Sequence, residues 1–278
     1  MIPPIARRFV AGETPATALE HVRECNDRDI RVILNLLGEH YDDPTEADDD
    51  ARAYADLLSD IAATDLDACI SVKPSQIGLD VSEARFRDNL RGIVDAADEH
   101  DQFVWIDMED HTTTDATLDA FEEFVTARGG GMGVCLQANL KRTREDVERF
   151  AETPGKIRLV KGAYDEPPAI AYKSKERVDE VYEEYLEYVF ERYDGGIAVG
   201  SHDPVMIDRA CELHAEHGTD FEIQMLMGVR EDAQEELARE YEVWQYAPYG
   251  GKWLSYFYRR MMERKENVGF ALRAVLGR

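Results

Sequence analysis

Cysteine and lysine are both scarce in this chain. The cysteines lie far apart with no CxxC pair, whereas zinc and redox sites need closely spaced thiols. They are therefore interpreted as small buried apolar residues of a reducing compartment: Cys25, Cys69, Cys135 and Cys211. Lysine supplies only eight of the 32 basic residues, against 58 acidic residues, and the net charge is −26. Such a surface repels nucleic acid, which is not expected as a partner.

Long apolar runs are also lacking. No stretch approaches the roughly 18 residues of a membrane-spanning helix, and the start MIPPIARRFVAGET has no signal-like apolar segment, so a cytoplasmic location is expected. The acid excess is spread along the whole chain. This pattern favours a halophilic protein, which stays soluble at salt concentrations that shorten the distance over which charges interact. A candidate for transient peripheral membrane contact is FALRAVLGR, residues 270–278.

No glycine-, serine- or proline-rich linker divides the chain, so residues 1–278 are predicted to form a single domain. Short apolar runs with low charge and β-branched residues, typical of buried parallel strands, alternate with amphipathic segments. The eight runs are residues 30–37, 68–72, 103–107, 132–137, 156–162, 196–202, 220–226 and 242–246. Eight strand–helix units in one chain predict an α/β fold, a (β/α)8 TIM barrel. The alternative, a doubly wound sheet, would usually show a glycine-rich phosphate turn, and LNLLGEHYDD is not one.

The intervening segments have apolar residues at the three- and four-residue spacing of helices, as in residues 82–100 and 143–152. The three aspartates at 48–50 are interpreted as a solvated helix start, and ARGGG at 127–131 as a helix stop. Residues 182–193, rich in tyrosine, are predicted to form a helix that packs its tyrosines on the barrel.

Polar residues follow every predicted strand. In a (β/α)8 barrel the C-terminal strand ends meet at one mouth, where active sites form. The residues expected there are Glu39, Lys73, Asp107, Glu109, Gln137, Arg158, Lys161, Ser201, His202, Asp203, Gln224, Leu226 and Tyr246. Each position alone is weak evidence, but together they predict a ring around a site.

The last predicted helix, about residues 252–265, carries two adjacent arginines in apolar company. At helical spacing one arc holds Trp253, Leu254, Phe257, Tyr258 and Met261, and the adjoining stripe holds Tyr256, Arg259, Arg260 and Glu263. The arginines could be a solvated pair tied to Glu263. Alternatively, they face the mouth and bind a carboxylate, with Lys73 as a third cation.

The chain resembles the proline dehydrogenases, a family that also forms part of bifunctional proline-utilisation proteins. The resemblance runs from RRFVAGET to the end of the last long helix, and its most specific motifs are RLVKGAY (158–164), YAPYG (246–250) and YRRMMER (258–264). Five further motifs follow the family's order: SVKPS, IDMED, LQANLKR, GSHDP and FEIQMLMG.

This resemblance implies a distorted barrel that holds FAD, oxidises L-proline to Δ1-pyrroline-5-carboxylate and passes the electrons to a quinone acceptor. It implies that Arg259, Arg260 and Lys73 bind the proline carboxylate. Tyr246 and Leu226 would pack on the pyrrolidine ring, above a polar network that includes Asp107. Glu39 would pair with Arg259 when the site closes, and Glu263 is assigned to the same gate.

The resemblance also implies the contacts of FAD. Arg158 would lie beside N5 of the isoalloxazine and, with Asp107, is assigned a catalytic role. Further cofactor contacts are expected from Met108, Gln137, Lys161, Gly162, Ala163, Tyr164, Ser201, His202 and Gln224. Met108 and Asn139 stand where many relatives have a small and an aromatic residue, and Ser201 replaces the commoner threonine.

Other functions stay open at this point. A divalent metal of a lyase or hydrolase could be bound by Asp107, Glu109, His111 and His202. The residue types allow such a site, but their spacing does not require one. Lys73 or Lys161 could form a Schiff base, and a non-catalytic carboxylate-binding barrel is a third alternative. The substrate could be proline or hydroxyproline, and the amine proton could pass to water or to Asp107. The sequence is compatible with a monomer or an oligomer.

Overall fold

Eight parallel strands form the centre of the structure. The computed structural model describes residue 2 and residues 6–258. The strands are β1 (Arg31–Leu36), β2 (Ala68–Val72), β3 (Val104–Ile106), β4 (Met132–Gln137), β5 (Lys156–Val160), β6 (Ile197–Gly200), β7 (Phe221–Leu226) and β8 (Glu242–Tyr249). Each pairs with the next, and β8 pairs with every residue of β1, so the sheet closes into a barrel. The predicted (β/α)8 barrel is confirmed.

Helices connect the strands and surround the barrel. A short 3-10 helix, Ala6–Arg8, comes first, and the α-helices are α1 (Pro15–Asn26), α2 (Pro44–Ala62), α3 (Glu83–Glu99), α4 (Thr114–Arg128), α5 (Thr143–Arg149), α6 (Lys175–Arg192), α7 (Pro204–His217) and α8 (Glu231–Leu237). Side-chain caps set several starts: Ser82 accepts from the Arg85 amide and Ser174 from the Arg177 amide. Gly129, in the left-handed conformation, ends α4, which confirms the predicted stop.

The three aspartates at 48–50 are not the start of a helix, and that prediction is wrong. Helix α2 begins at Pro44, and the Asp43 side chain caps it by accepting from the Thr45 amide at 2.8 Å. Pro44 at the first helical position was the stronger signal, because proline suits that place and acidic residues are tolerated further along. Asp50 is not a freely solvated residue either, since its Oδ2 accepts from the Tyr41 hydroxyl at 2.7 Å.

The main core lies between the barrel and its helices. The tyrosine-rich part of α6 buries Tyr182, Tyr185 and Phe190 against the strands, as predicted. Of the four cysteines, three are buried and Cys211 is partly buried, and none forms a disulfide. This packing removes the outer face of each strand from water, which leaves the inner face for the barrel interior.

The residues after β8 differ in part from the helical pattern. Residues 253–258 are helical, and Tyr256, placed by spacing on the stripe beside the apolar arc, is buried with Phe9 and Leu37. Leu254 and Tyr258, assigned by spacing to the apolar arc, are exposed. The cause is the N-terminal segment, which covers one side of this helix. Arg259, Arg260, Met261, Glu263 and residues 270–278 lie outside the described residues.

The barrel interior is filled by a separate cluster. Ile33, Cys69, Trp105 and Ala198 are fully or almost fully buried there, with Trp244 and Tyr246 packed against them. Gly133 on β4 pairs with Trp105 on β3, and a Cβ at Gly133 would lie 2.4 Å from the Trp105 ring. The glycine therefore makes room for the indole that occupies the middle of the barrel.

Replacing Gly133 by alanine should lower the free energy of unfolding by about 1–3 kcal/mol, because the added methyl overpacks the barrel interior. Gly92 is the matched control, since it lies in α3 with nothing within 4 Å of an added Cβ. Gly92→Ala should raise the free energy of unfolding by up to about 1 kcal/mol through helix propensity. Urea unfolding of both variants measures the difference, and equal effects would contradict the packing argument.

Candidate active site

A buried arginine lies inside the barrel below its C-terminal mouth. Arg158, on β5, is only 4% exposed. Its Nη2 donates to Asp107 Oδ1 at 2.5 Å and its Nη1 donates to Gln224 Oε1 at 3.0 Å. The guanidinium lies 4.9 Å from the centre of the Trp105 ring and 5.8 Å from that of Tyr246. A cation in this position needs such partners, because an unpaired buried charge is strongly disfavoured.

Asp107 connects three strands of the barrel. Besides Arg158, it accepts from the Ser71 hydroxyl on β2 and from the Tyr246 hydroxyl on β8, both at 2.6 Å. Its own amide donates to the Val72 carbonyl at 2.9 Å, which holds the start of the loop after β3 beside β2. Both carboxylate oxygens are thus engaged by donors, as a stable buried ion pair requires.

The protonation states of the site follow from these contacts. Burial tends to lower the pKa of Arg158, but the charge of Asp107 raises it, and the net shift is upward. Burial, with the neighbouring Asp107 charge, raises the pKa of Tyr246 well above its ordinary value. At neutral pH the site therefore holds a guanidinium cation and a neutral phenol that donates to a carboxylate.

Lys73 and Glu39 form an ion pair in the loops after β2 and β1. Lys73 Nζ lies 3.0 Å from Glu39 Oε2, and the lysine side chain is 13% exposed. Ser75 fixes this loop, since its amide and its hydroxyl each donate to the buried Glu109 carboxylate at 2.7 Å. Burial raises the pKa of Glu109, although the hydrogen bonds from Ser75 oppose the shift. His40 also donates its amide to the Ser75 hydroxyl at 3.0 Å, so Ser75 links both loops.

Gln137 ties the next strand to the same loops. It lies at the end of β4, is 3% exposed, and donates from Nε2 to the Glu109 carbonyl at 2.8 Å. Met108, between Asp107 and Glu109, is buried. The segment that carries Asp107 is thus held from two sides.

Lys161 follows β5 and is held by two carboxylates. Its Nζ contacts Asp179 and lies 2.7 Å from Asp203 Oδ2, and the hydrogen bond from Lys161 lowers the pKa of Asp203. Gly162 has φ +107°, and a Cβ there would lie 2.1 Å from Asn139 Oδ1. Only glycine fits this position. Ala163 is exposed and Tyr164 is partly buried in the same loop.

The loops after β6 and β7 contact each other. His202 Nε2 accepts from the Leu226 amide at 3.3 Å, which places the imidazole beside the end of β7. Leu226 pairs in register with Tyr246 on β8. Ser201, 6% exposed, accepts from the Asp203 amide at 3.1 Å. These contacts bring the residues predicted after β6, β7 and β8 to one side of the mouth.

The structure thus joins Asp107, Arg158, Gln224 and Tyr246 in one network and pairs Lys73 with Glu39. Arg259, the partner expected for Glu39, is among the residues outside the described part. Sequence reasoning missed Ser71 and Trp105, which contact Asp107 and Arg158. Each precedes a predicted site residue by two positions, so the period-two alternation of a strand could have found them.

The four candidate metal ligands take part in separate contacts. Asp107 binds Arg158, Glu109 accepts from Ser75, and His202 accepts from Leu226. His111 contacts the buried carboxylate of Glu166 through Nδ1, at 2.5 Å. Within residue 2 and residues 6–258, no three histidine, cysteine, aspartate or glutamate residues are grouped as a metal site needs.

Fold and site together define a (β/α)8-barrel enzyme with a buried, carboxylate-bound arginine below the C-terminal mouth. A sequence model of the family "Proline dehydrogenase" matches residues 18–273. The chain therefore belongs to the proline dehydrogenase family.

Named relatives agree with this assignment. The chain is 36% identical to proline dehydrogenase 1 of Bacillus subtilis subsp. natto over 276 residues, which cover 98% of this chain and 90% of the relative. It is also 36% identical to the proline dehydrogenase of Deinococcus radiodurans, with the same coverage. The crystal structure of proline utilization A from Bdellovibrio bacteriovorus, inactivated by N-propargylglycine, superposes with a TM-score of 0.83 at 26% identity. That match covers 93% of this chain but only 32% of the larger protein.

Replacing Asp107 by asparagine should lower the free energy of unfolding by about 3–5 kcal/mol, because Arg158 loses its counter-charge inside the barrel. Asp115 offers a matched control. Its carboxylate lies 2.6 Å from Arg142, but the side chain is 82% exposed. Asp115→Asn should cost about 0–1 kcal/mol. Urea unfolding at neutral pH compares the two variants. Similar losses in the free energy of unfolding would show that the pair inside the barrel stabilises the protein no more than an exposed pair does.

Proposed function

We propose that this protein oxidises L-proline to Δ1-pyrroline-5-carboxylate with FAD as cofactor and passes the electrons to a quinone. The observation that carries the proposal is the buried guanidinium of Arg158, held by Asp107 and Gln224 below a mouth that contains Lys73. Membership of the proline dehydrogenase family and the names of the relatives support the substrate.

The residues at the mouth fit a flavin on two observations. Gly162 adopts a conformation that favours glycine and presents backbone without a side chain just after β5, which suits close approach of a ring system. Among the described residues, the Oδ1 of Asn139, buried beside it, has no hydrogen-bond partner, so an acceptor remains for a ligand. A fixed cation such as Arg158 also suits a cofactor whose reduced form is anionic.

FAD, when bound, supplies the two-electron acceptor for the oxidation. We propose that Arg158 and Gln224 hold it from the barrel interior, with further contacts from Met108, Gln137, Lys161, Gly162, Ala163, Tyr164, Ser201 and His202. Among these, Lys161 is kept in place by Asp203, and Gln137 by the Glu109 carbonyl. Side chains held by such partners are positioned before the cofactor arrives.

Lys73 is proposed to bind the proline carboxylate together with Arg259 and Arg260. In the structure Lys73 is paired with the Glu39 carboxylate, whose Oε2 lies 3.0 Å from Lys73 Nζ. A substrate carboxylate would take over that interaction, and Glu39 and Glu263 would then be available to pair with the arginines and close the gate. Leu226 and Tyr246, neighbours in the sheet register, are proposed to contact the pyrrolidine ring.

We propose that Asp107 positions other side chains in this reaction. Its oxygens already accept from Ser71, Arg158 and Tyr246, so it orients the cation and the phenol rather than taking the amine proton. We propose that water accepts that proton. The anchored carboxylate supplies what the oxidation needs most, a fixed orientation of the ring carbon toward its acceptor.

Location and acceptor belong to the same proposal. Among residue 2 and residues 6–258, no helix is long and apolar enough to cross a membrane. We propose a cytoplasmic protein that meets its quinone acceptor through transient contact at the membrane surface.

An anaerobic absorbance titration tests the proposal directly. Protein purified in concentrated salt with FAD present should show a bound flavin band that bleaches on addition of L-proline. Bleaching without added quinone would establish cofactor and substrate together. A bound flavin that proline leaves oxidised would refute the substrate, and protein that takes up no flavin would refute the cofactor.

Replacing Lys73 by methionine should raise the KM for proline about tenfold or more while the flavin stays bound, since one charged hydrogen bond contributes about 1.5–3 kcal/mol. Lys173 is the control, because it is a lysine of the loop after β5 that pairs with the exposed Asp165 and the Glu166 carbonyl, neither of which is proposed to contact proline. Lys173→Met should leave the KM within about twofold, as expected for a surface ion pair. Steady-state kinetics with a soluble quinone give both values, and an unchanged KM in the Lys73 variant would refute the carboxylate contact.

A further inference from the structure

A chain of hydrogen-bonded side chains continues below the site toward the N-terminal end of the barrel. Gln224 Nε2 donates to Glu222 Oε1 at 2.6 Å. Glu222 Oε2 in turn pairs with Lys156 at the start of β5. Glu222 is 2% exposed, whereas the Lys156 side chain is 33% exposed. The chain therefore connects Arg158 with a partly solvated lysine two positions earlier on the same strand.

Each link in this chain has a defined direction. A guanidinium can only donate, so Arg158 requires the oxygen of the Gln224 amide. An ionised carboxylate can only accept, so Glu222 requires the amide NH2 group. Gln224 satisfies both neighbours in one orientation alone, because its two ends are not interchangeable.

Glu222 uses both of its oxygens, one for Gln224 and the other for Lys156. Lys156 supplies the counter-charge that a buried carboxylate needs. Burial still raises the pKa of Glu222, although the charge of Lys156 opposes the shift. No substrate or cofactor role falls to Glu222 in the proposed function, and its contacts lie on the side of Gln224 away from Arg158.

We propose that Glu222 is a positioning residue: its carboxylate holds the Gln224 amide with the oxygen toward Arg158, and so fixes the guanidinium that serves the cofactor. The effect on FAD rests on the proposed function, whereas the orientation of Gln224 rests on contacts within this chain. Without an acceptor at position 222, the buried NH2 of Gln224 lacks a partner and the side chain turns to find one. Arg158 then loses a fixed contact.

Two double variants of equal charge test this. K156M/E222Q keeps an acceptor for Gln224, and K156M/E222M removes it. Both replace an ion pair by two uncharged side chains, so neither changes the net charge relative to the native pair. Any difference between them therefore reports the acceptor and not a change of net charge.

The first measurement is the midpoint potential of the bound flavin without proline. K156M/E222Q should retain the potential of the unmodified protein. K156M/E222M should show a lower potential, because a less well fixed cation stabilises reduced flavin less. Flavin reduction by proline should be about tenfold or more slower in the methionine variant and close to normal in the glutamine variant.

The neighbouring carboxylate on β8 provides a control for general damage. Glu242 pairs in register with Glu222, and its Oε1 accepts from Arg31 at 2.6 Å and from Trp244 Nε1 at 2.7 Å. Neither of these contacts of Glu242 involves Gln224. R31M/E242M therefore removes an ion pair from the same level of the barrel and should leave the flavin potential unchanged.

Three results would overturn the inference. These are equal potentials in both Glu222 variants and the unmodified protein, equal shifts in both variants, and a shift in R31M/E242M as large as that in K156M/E222M. If the methionine variant does not fold, E222Q alone takes its place. One amide oxygen then replaces two carboxylate oxygens, and Lys156, left without its counter-charge, competes with Gln224 for it. E222Q should therefore reduce flavin more slowly than K156M/E222Q, and equal rates would contradict the inference.

Failure of the proposed substrate, with the flavin bound, gives a different result. In that case proline leaves the flavin of the unmodified protein oxidised, while the potentials, measured without proline, still report on Glu222.

Discussion

The buried ion pair between Arg158 and Asp107 is the interaction on which the rest of the site depends. A guanidinium inside a barrel is tolerated only if its charge is met, and Asp107 meets it at 2.5 Å. That requirement draws Ser71 and Tyr246 to the same carboxylate, from strands on either side of the closure between β8 and β1. Trp105 and Tyr246 exclude water from the cation and contribute their ring faces. The charge of Arg158 therefore accounts for the polar and aromatic side chains that surround it.

The loops at the mouth are held by a second buried carboxylate, Glu109. It binds Ser75 through two hydrogen bonds, and Ser75 receives the amide of His40. The loops that carry Glu39 and Lys73 are thereby fixed to the loop after β3, whose backbone carbonyl also binds Gln137. Neither Glu109 nor Ser75 needs to touch a ligand to matter, because together they set the distance between the proposed substrate cation and the proposed cofactor contacts.

Much of the fold was predictable because parallel strands buried on both faces leave a strong signal. The runs at 68–72 and 132–137 coincide with β2 and β4, and the remaining six agree to within a few residues. The start of α2 was missed because acidic residues suit a first turn as well as a second, and only Asp43 and Pro44 distinguish the two. Burial of Tyr256 could not be predicted, since its partners Phe9 and Leu37 are far away in sequence.

The sequence by itself determined the number and order of the strands, the residue types at their C-terminal ends and the membership of the proline dehydrogenase family, because each is encoded by local pattern or ordered motif. The tertiary structure alone decided which of those polar residues meet. Asp107 and Tyr246 are 139 positions apart and become hydrogen-bonded only because the barrel closes between β8 and β1. The pairing of Lys73 with Glu39, and the contact of Gln224 with Arg158, likewise arise from the arrangement of neighbouring strands and loops in the barrel. Such contacts depend on distances between elements, and no local pattern specifies those distances.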